Sequence, residues 1–180
     1  MTAKRYAMVV DTRLCVACKA CVLACKAENA LPEGYCRDWL VEEVRGNFPN
    51  LRAENRSERC NHCTNAPCVS ACPTGASHVA DGGIVMVTAD KCTGCKACMA
   101  ACPYDARYVH PDGYVDKCTF CLHRVQRGDE PACVMVCPTT TLHFGDLGDE
   151  TSEVSDLLRT RTFKVNHPES GALPNVYFLT

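Results

Sequence analysis

Sixteen of the 17 cysteines fall into four groups of four, at spacings that suit thiolate ligation of a cube. The first group reads Cys15-x2-Cys18-x2-Cys21-x3-Cys25, and the second Cys60-x2-Cys63-x4-Cys68-x3-Cys72-Pro73. The third is Cys92-x2-Cys95-x2-Cys98-x3-Cys102-Pro103, and the fourth Cys118-x2-Cys121-x11-Cys133-x3-Cys137-Pro138. Thiolate is a soft ligand that holds iron in its accessible oxidation states. The x2 spacing lets one loop wrap three corners of a cube while its backbone N–H groups point at the sulfurs. Four such quartets predict four [4Fe–4S] clusters. With every corner held by Cys, no iron keeps an open coordination position. Electron transfer is therefore the predicted chemistry, and the chain is not expected to be catalytic alone.

Two other uses of cysteine fit the spacing poorly. A structural zinc site closes on two CxxC pairs or on Cys2His2 and has no need of a third thiolate two residues beyond the second. A disulfide scaffold, the usual meaning of high Cys content in a short secreted chain, gives no reason to set cysteines three at a time around one loop. Cys36 stands outside every quartet and is expected to be a packed free thiol. The six His show no metal-ligand spacing; His62 and His123 adjoin quartet cysteines, where packing is the expected role. Arg107 and Tyr108 follow the third quartet, placed either to stand between clusters or simply to pack.

The elements that must position these ligands are short. The segment 6–10 reads as a strand entering the first quartet. The x3 segments 22–24, 69–71, 99–101 and 134–136 each suit one helical turn, which puts the two final cysteines of a quartet at i and i+4 on one face. Pro73, Pro103 and Pro138 stop those turns, whereas Lys26 in the first quartet lets its helix run on to Asn29. Asp81-Gly82-Gly83 and Pro111-Asp112-Gly113 each read as a hairpin turn between short strands. Residues 26–59 form an insertion with a strand at 39–44 and a turn-rich stretch at 46–50. Ser152 caps a predicted helix with an apolar stripe at Val154, Leu157 and Leu158. The tail around 174–180 is too apolar for a free end, and is expected either to form an edge strand of its own domain or to meet a partner.

Composition sets further bounds. Of the 47% hydrophobic residues, about 38% remain without the 17 Cys, below the usual apolar share of roughly 45–50%. So thin a core leaves the clusters as the cross-links of the fold, and the chain without metal is expected to be largely unfolded or molten. The formal charge of −2 counts Cys as neutral; four thiolate-ligated cubes take it to roughly −10, which argues against a nucleic-acid partner. Met1-Thr-Ala-Lys4-Arg5-Tyr6 leads into only four apolar residues, too short a run for a signal peptide, and carries no twin-Arg pair. No run approaches the 18 apolar residues of a membrane span. Export is expected to need a signal-bearing partner.

The first and third quartets match the bacterial ferredoxin run, in which the fourth Cys serves the other cluster of a pair. CVACKACVLAC and CTGCKACMAAC share seven of eleven positions, including Lys19-Ala20 and Lys96-Ala97. The predicted fold class is α+β, with two ferredoxin-like units related by internal duplication. The expected division is 1–59 plus 111–148 as one unit, 60–110 as the other, and 149–180 as a C-terminal helix and docking tail. Cross-ligation can pair adjacent quartets, first with second and third with fourth, or nest them, first with fourth and second with third.

Cys60-x2-Cys63-x4-Cys68-x3-Cys72-Pro73-Thr-Gly-Ala76, Cys102-Pro-Tyr-Asp-Ala-Arg-Tyr108, Lys117-Cys-Thr-Phe-Cys121 and Pro131-Ala-Cys133-x3-Cys137-Pro138-Thr139 resemble the four-cluster iron–sulfur subunit of molybdopterin oxidoreductase complexes, nearest the polysulfide, thiosulfate and dimethyl sulfoxide reductase members. The likeness covers about residues 5–148. It implies the nested scheme. Cys15, Cys18 and Cys21 would share a cluster with Cys137, and Cys118, Cys121 and Cys133 with Cys25. Cys60, Cys63 and Cys68 would share one with Cys102, and Cys92, Cys95 and Cys98 with Cys72. It also implies a molybdenum or tungsten bis-pterin catalytic subunit and an integral membrane quinone-reactive subunit as partners, with co-export to the periplasmic face of the cytoplasmic membrane. The alternatives are a free-standing polyferredoxin carrier and a cytoplasmic subunit linked to hydrogenase or formate dehydrogenase.

Overall fold

The computed structural model describes residues 4–180; residues 1–3 of the N-terminal stretch lie outside it. β1, Tyr6–Asp11, carries apolar residues on both faces, the pattern of a strand with no solvent side. Ala7, Met8, Val9 and Val10 are all fully buried. α1, Ala20–Glu28, starts from Lys19 in the left-handed region and ends at Asn29, whose amide donates to the Cys25 carbonyl at 2.9 Å. The insertion folds as a hairpin of β2, Asp38–Arg45, and β3, Arg52–Arg59, paired in full register from Asp38↔Arg59 to Arg45↔Arg52.

Next come α2, Pro67–Ser70, and a hairpin of β4, Ser77–Val79, with β5, Val85–Val87, around the Asp-Gly-Gly turn. α3, Ala97–Ala100, and the minimal hairpin of β6, Tyr108–Val109, with β7, Val115–Asp116, repeat that order. α4, Leu122–Val125, and α5, Ala132–Met135, carry the fourth quartet. β8, Leu142–Asp146, precedes α6, Glu153–Thr160, and the chain closes with β9, Phe163–Lys164, and β10, Val176–Leu179. The mixture of short helices and small antiparallel pairs agrees with the α+β expectation.

The four-stranded sheet has the order β8-β1-β10-β9. β1 runs antiparallel to β8 and parallel to β10, with Met8 opposite Val176 and Asp11 opposite Leu179. The apolar tail is therefore an interior strand of its own sheet, neither an edge nor a free docking segment; its side chains are spent on Met8, Val10 and Val9. α6 is capped as expected, with Ser155 N donating to Ser152 Oγ at 3.3 Å, and Val154 packs on Val9 and Leu179. Cys36 departs from expectation: it is exposed, in the connection between α1 and β2.

Among the described residues, no helix is long and apolar enough to cross a membrane.

Candidate functional site

Each CxxC loop turns by the same device. The residue before its second Cys has positive φ in all four: Ala17 at 54°, His62 at 42°, Gly94 at 67° and Phe120 at 49°. Left-handed backbone costs a non-glycine residue roughly 1–2 kcal/mol, and it persists only where the surroundings over-determine it. Here it curls the loop so that both cysteines face inward. Lys19 and Lys96, at 62° and 65°, repeat the bend one residue beyond the second Cys and launch α1 and α3. In the last three quartets the penultimate Cys (Cys68, Cys98, Cys133) sits inside a one-turn helix and the final Cys (Cys72, Cys102, Cys137) just past it.

The nested pairing divides the sixteen thiols into four sets, the first to fourth cradles, of which the first and second each line one cavity. One cavity is lined by Cys15, Cys18, Cys21 and Cys137. A second is lined by Cys25, Cys118, Cys121 and Cys133. In the third, Cys63 is within electrostatic reach of Cys60, Cys68 and Cys102. In the fourth, Cys98, on the loop that carries Cys92 and Cys95, is within electrostatic reach of Cys72 and also of Cys68 of the third. Among the described residues no three Cys, His, Asp or Glu side chains converge closely enough to hold a single ion. In the first and second cradles the cysteines line a cavity instead.

Exposure divides the cradles. Every Cys of the second is buried, and in the third only Cys102 is partly accessible. Cys18 of the first and Cys95 of the fourth are exposed.

Donors converge on the sulfurs. Thr141 N–H reaches Cys137 Sγ at 3.2 Å and Ser77 N–H reaches Cys72 at 3.4 Å. Phe120 N–H donates to Cys118 and Val115 N–H to Cys92, both at 3.4 Å. Asn29 Nδ2 lies 3.7 Å from Cys25 Sγ and 4.0 Å from Cys121 Sγ. Arg59 Nη1 donates to Cys133 at 3.1 Å, and Arg107 Nη2 to Cys68 at 2.8 Å. Burial and the crowding of neighbouring thiols push Cys63 and Cys118 up to about 12. Burial pushes Cys133 up to about 11, against the pull of Arg59. Packed so closely, these groups ionise only with a cation set among them.

Several donors in this interior have no acceptor: Arg59 Nε, Arg107 Nε and Nη1, and His62 Nε2. His62 accepts from Val85 N–H at Nδ1, so its proton is on Nε2, and its ring stacks on Phe120 with centroids 3.7 Å apart. Burial holds it neutral, well below the ordinary His range. Unsatisfied buried donors are costly, and anionic cubes with sulfide acceptors answer that need. The residues fit the group. His123 takes no part: it is exposed and pairs with Glu28 at 2.7 Å.

Three buried cations stand among the cradles. Arg59 and Lys117 are 1% exposed and Arg107 5%. Arg107 had a role open to it from its place after the third quartet. Lys117 appeared only as part of a motif, and Arg59 ends a polar stretch, RAENRSER, that gave no sign of burial.

The 4Fe–4S dicluster domain model matches residues 52–147, and a 4Fe–4S binding domain model matches 13–28. The chain belongs to the 4Fe–4S dicluster family. Its similarity to curated proteins runs almost end to end. It is 45% identical to the "Protein NrfC homolog" of Haemophilus influenzae over 98% of this chain and 80% of that protein. It is 42% identical to the B polypeptide of polysulfide reductase from Wolinella succinogenes over 98% and 95%. It is 42% identical to the "Thiosulfate reductase electron transfer subunit PhsB" of Salmonella typhi over 94% and 90%. The resemblance read from the motifs therefore holds along the chain, and the family is one of iron–sulfur subunits of reductases.

Proposed function

We propose that the chain holds four [4Fe–4S] clusters and relays electrons between a membrane quinone-reactive subunit and a molybdopterin catalytic subunit, on the periplasmic face of the cytoplasmic membrane. Cys15, Cys18, Cys21 and Cys137 would hold one cluster, and Cys25, Cys118, Cys121 and Cys133 the next. Cys60, Cys63, Cys68 and Cys102 would hold the third, and Cys72, Cys92, Cys95 and Cys98 the fourth. When bound, the clusters supply one-electron sites whose potentials respond to hydrogen bonds, charge and burial. The chain's part is to space them, to exclude water from the inner pair, and to leave an opening at each end. The observation that carries this reading is the exposure of Cys18 and Cys95 against the burial of the second cradle.

Duplication of a ferredoxin-like unit is supported by the matched left-handed Lys19 and Lys96. The paired hydrogen bonds to Cys72 and Cys137, each followed by Pro-Thr, support it too. The units would be 1–59 with 111–148, and 60–110. Residues 149–180 would complete the first unit's sheet.

Glycine at position 94 tests the fourth cradle. A Cβ there would strike the Gly113 carbonyl oxygen, and φ is +67°. In Gly94→Ala the Cys92–Cys95 loop must shift, so the fourth cluster should be lost while the other three remain. Iron analysis with EPR checks this; full iron in the variant would separate that loop from cluster binding.

Assembly is tested in native membranes. Val44, Phe48 and Leu51 near the tip of the β2–β3 hairpin are exposed, 89% for Phe48, and apolar groups so placed suit a fixed neighbour. The protein should co-purify with a pterin-containing subunit and a membrane subunit, and should leave the periplasmic face when the partner's twin-Arg signal is removed. Because the tail lies within its own sheet, it does not argue for a partner. Recovery as a stable monomer with partner genes expressed would favour the polyferredoxin reading.

A further inference from the structure

Burying a cation is costly unless an anion compensates it. This protein buries three: among the described residues, Arg59, Lys117 and Arg107 form no ion pair with a carboxylate. Asp38 lies within electrostatic reach of Arg59 without bonding to it. Arg37 shows the contrast, its guanidinium held by Asp116 through two bonds of 2.8 and 3.0 Å.

Arg59 and Arg107 each bridge two cradles through hydrogen bonds, and Lys117 reaches two through its charge. Arg59 donates through Nη1 to Cys133 of the second cradle and through Nη2 to Ser57 Oγ, which lies 3.5 Å from Cys21 of the first. Arg107 repeats the arrangement. Its Nη2 donates to Cys68 of the third cradle at 2.8 Å and to Ser77 Oγ at 2.9 Å, while Ser77 N–H donates to Cys72 of the fourth. Lys117 lies between the inner two. Its Nζ donates to the carbonyls of Cys118, at 2.7 Å, and of Val85, and its charge acts on Cys118 of the second cradle and on Cys60 and Cys68 of the third. Arg59 thus links the first and second cradles, Lys117 the second and third, and Arg107 the third and fourth.

We propose that Arg59, Lys117 and Arg107 are junction charges of the electron path, each raising the reduction potentials of the two clusters it separates. The inference rests on the four-cluster reading above. A positive charge set between two acceptors stabilises an electron on either, so it holds neighbouring potentials together and offsets the repulsion between reduced clusters. Arg and Ser together form a positioning pair at the two outer junctions, and Lys alone serves the inner one. None of the three ligates iron.

The test is a potentiometric titration of the anaerobically purified full chain, followed by EPR, with iron and sulfide measured on the same samples. Arg107→Gln should keep its iron and lower two of the four midpoint potentials while the other two stay. The reduction equilibrium constant of each should fall about tenfold, ~59 mV for one electron. Arg107→Lys should restore most of the loss, and Lys117→Met should move a different pair. Iron-complete variants in which no potential moves, or only one, would overturn the proposal. So would loss of iron from the neutral variants at all three positions together with Arg107→Lys, which would assign these side chains to folding. A wild-type protein without iron would overturn the proposed function itself, and this inference with it.

Discussion

Protein purified without oxygen should carry about sixteen iron and sixteen sulfide per molecule, with a broad brown absorbance that bleaches on reduction. Stripping that iron with a chelator should unfold it. Both expectations have one cause. Cysteines of the four cradles make up part of every hydrophobic cluster except the small one around Val9, Val154 and Leu179. Without metal, buried thiols, three cations and several orphaned donors must share the same interior. A single structural metal site contributes about 10–16 kcal/mol in small domains, as much as a whole domain's ordinary stability of roughly 5–15 kcal/mol. Loss of four clusters should therefore remove nearly all tertiary order, read as collapsed near-ultraviolet dichroism and narrow amide dispersion. A colourless protein with stoichiometric zinc would sink the cluster reading. A chelated protein that still unfolds cooperatively would sink the claim that the clusters hold the fold.

Cys25→Ser and Cys137→Ser should damage different clusters, each remote in sequence from the change. Cys25 lines the same cavity as Cys118, Cys121 and Cys133, so its loss should alter the EPR signal of that cluster and leave the one at Cys15, Cys18 and Cys21 largely intact. Cys137 lines the cavity of Cys15, Cys18 and Cys21, and its loss should do the converse. Serine's alkoxide is a harder and poorer ligand for iron, so the affected cluster should lose one iron or disappear. Adjacent pairing predicts otherwise: Cys25→Ser would then disturb the cluster at Cys60, Cys63 and Cys68.

The cysteine loops were legible because their spacing encodes the cube directly, and β1, the two Gly-centred hairpins and the capped α6 were legible from ordinary apolar pattern and turn chemistry. β3 was not. Its residues RAENRSER carry no apolar alternation. The strand is held by full pairing with β2 and by charges across and along it, Arg56 with Glu43 at 2.8 Å and with Glu58 at 2.6 Å. Arg59 was missed for the same reason, since a buried cation answers to a ligand rather than to a pattern. The position of the tail was missed because a parallel pairing with the first strand spans almost the whole sequence, and periodicity has no reach over that distance. The bends at Ala17, His62 and Phe120 left no sign either, being imposed on residues that do not favour them.

The place of β1 between β8 and β10 also sets a timetable for synthesis. β1 has no sheet to join until residues 142–146 are made, and its other edge stays open until residues 176–179 follow. Through most of translation a five-residue apolar segment, Tyr6 to Val10, presents unpaired N–H and C=O groups, the kind of edge that invites pairing with another polypeptide. The segment 60–102, by contrast, already contains every thiol of the third cradle and can begin to order early. Order should therefore begin in the middle of the sequence, with β1 waiting longest for its partners.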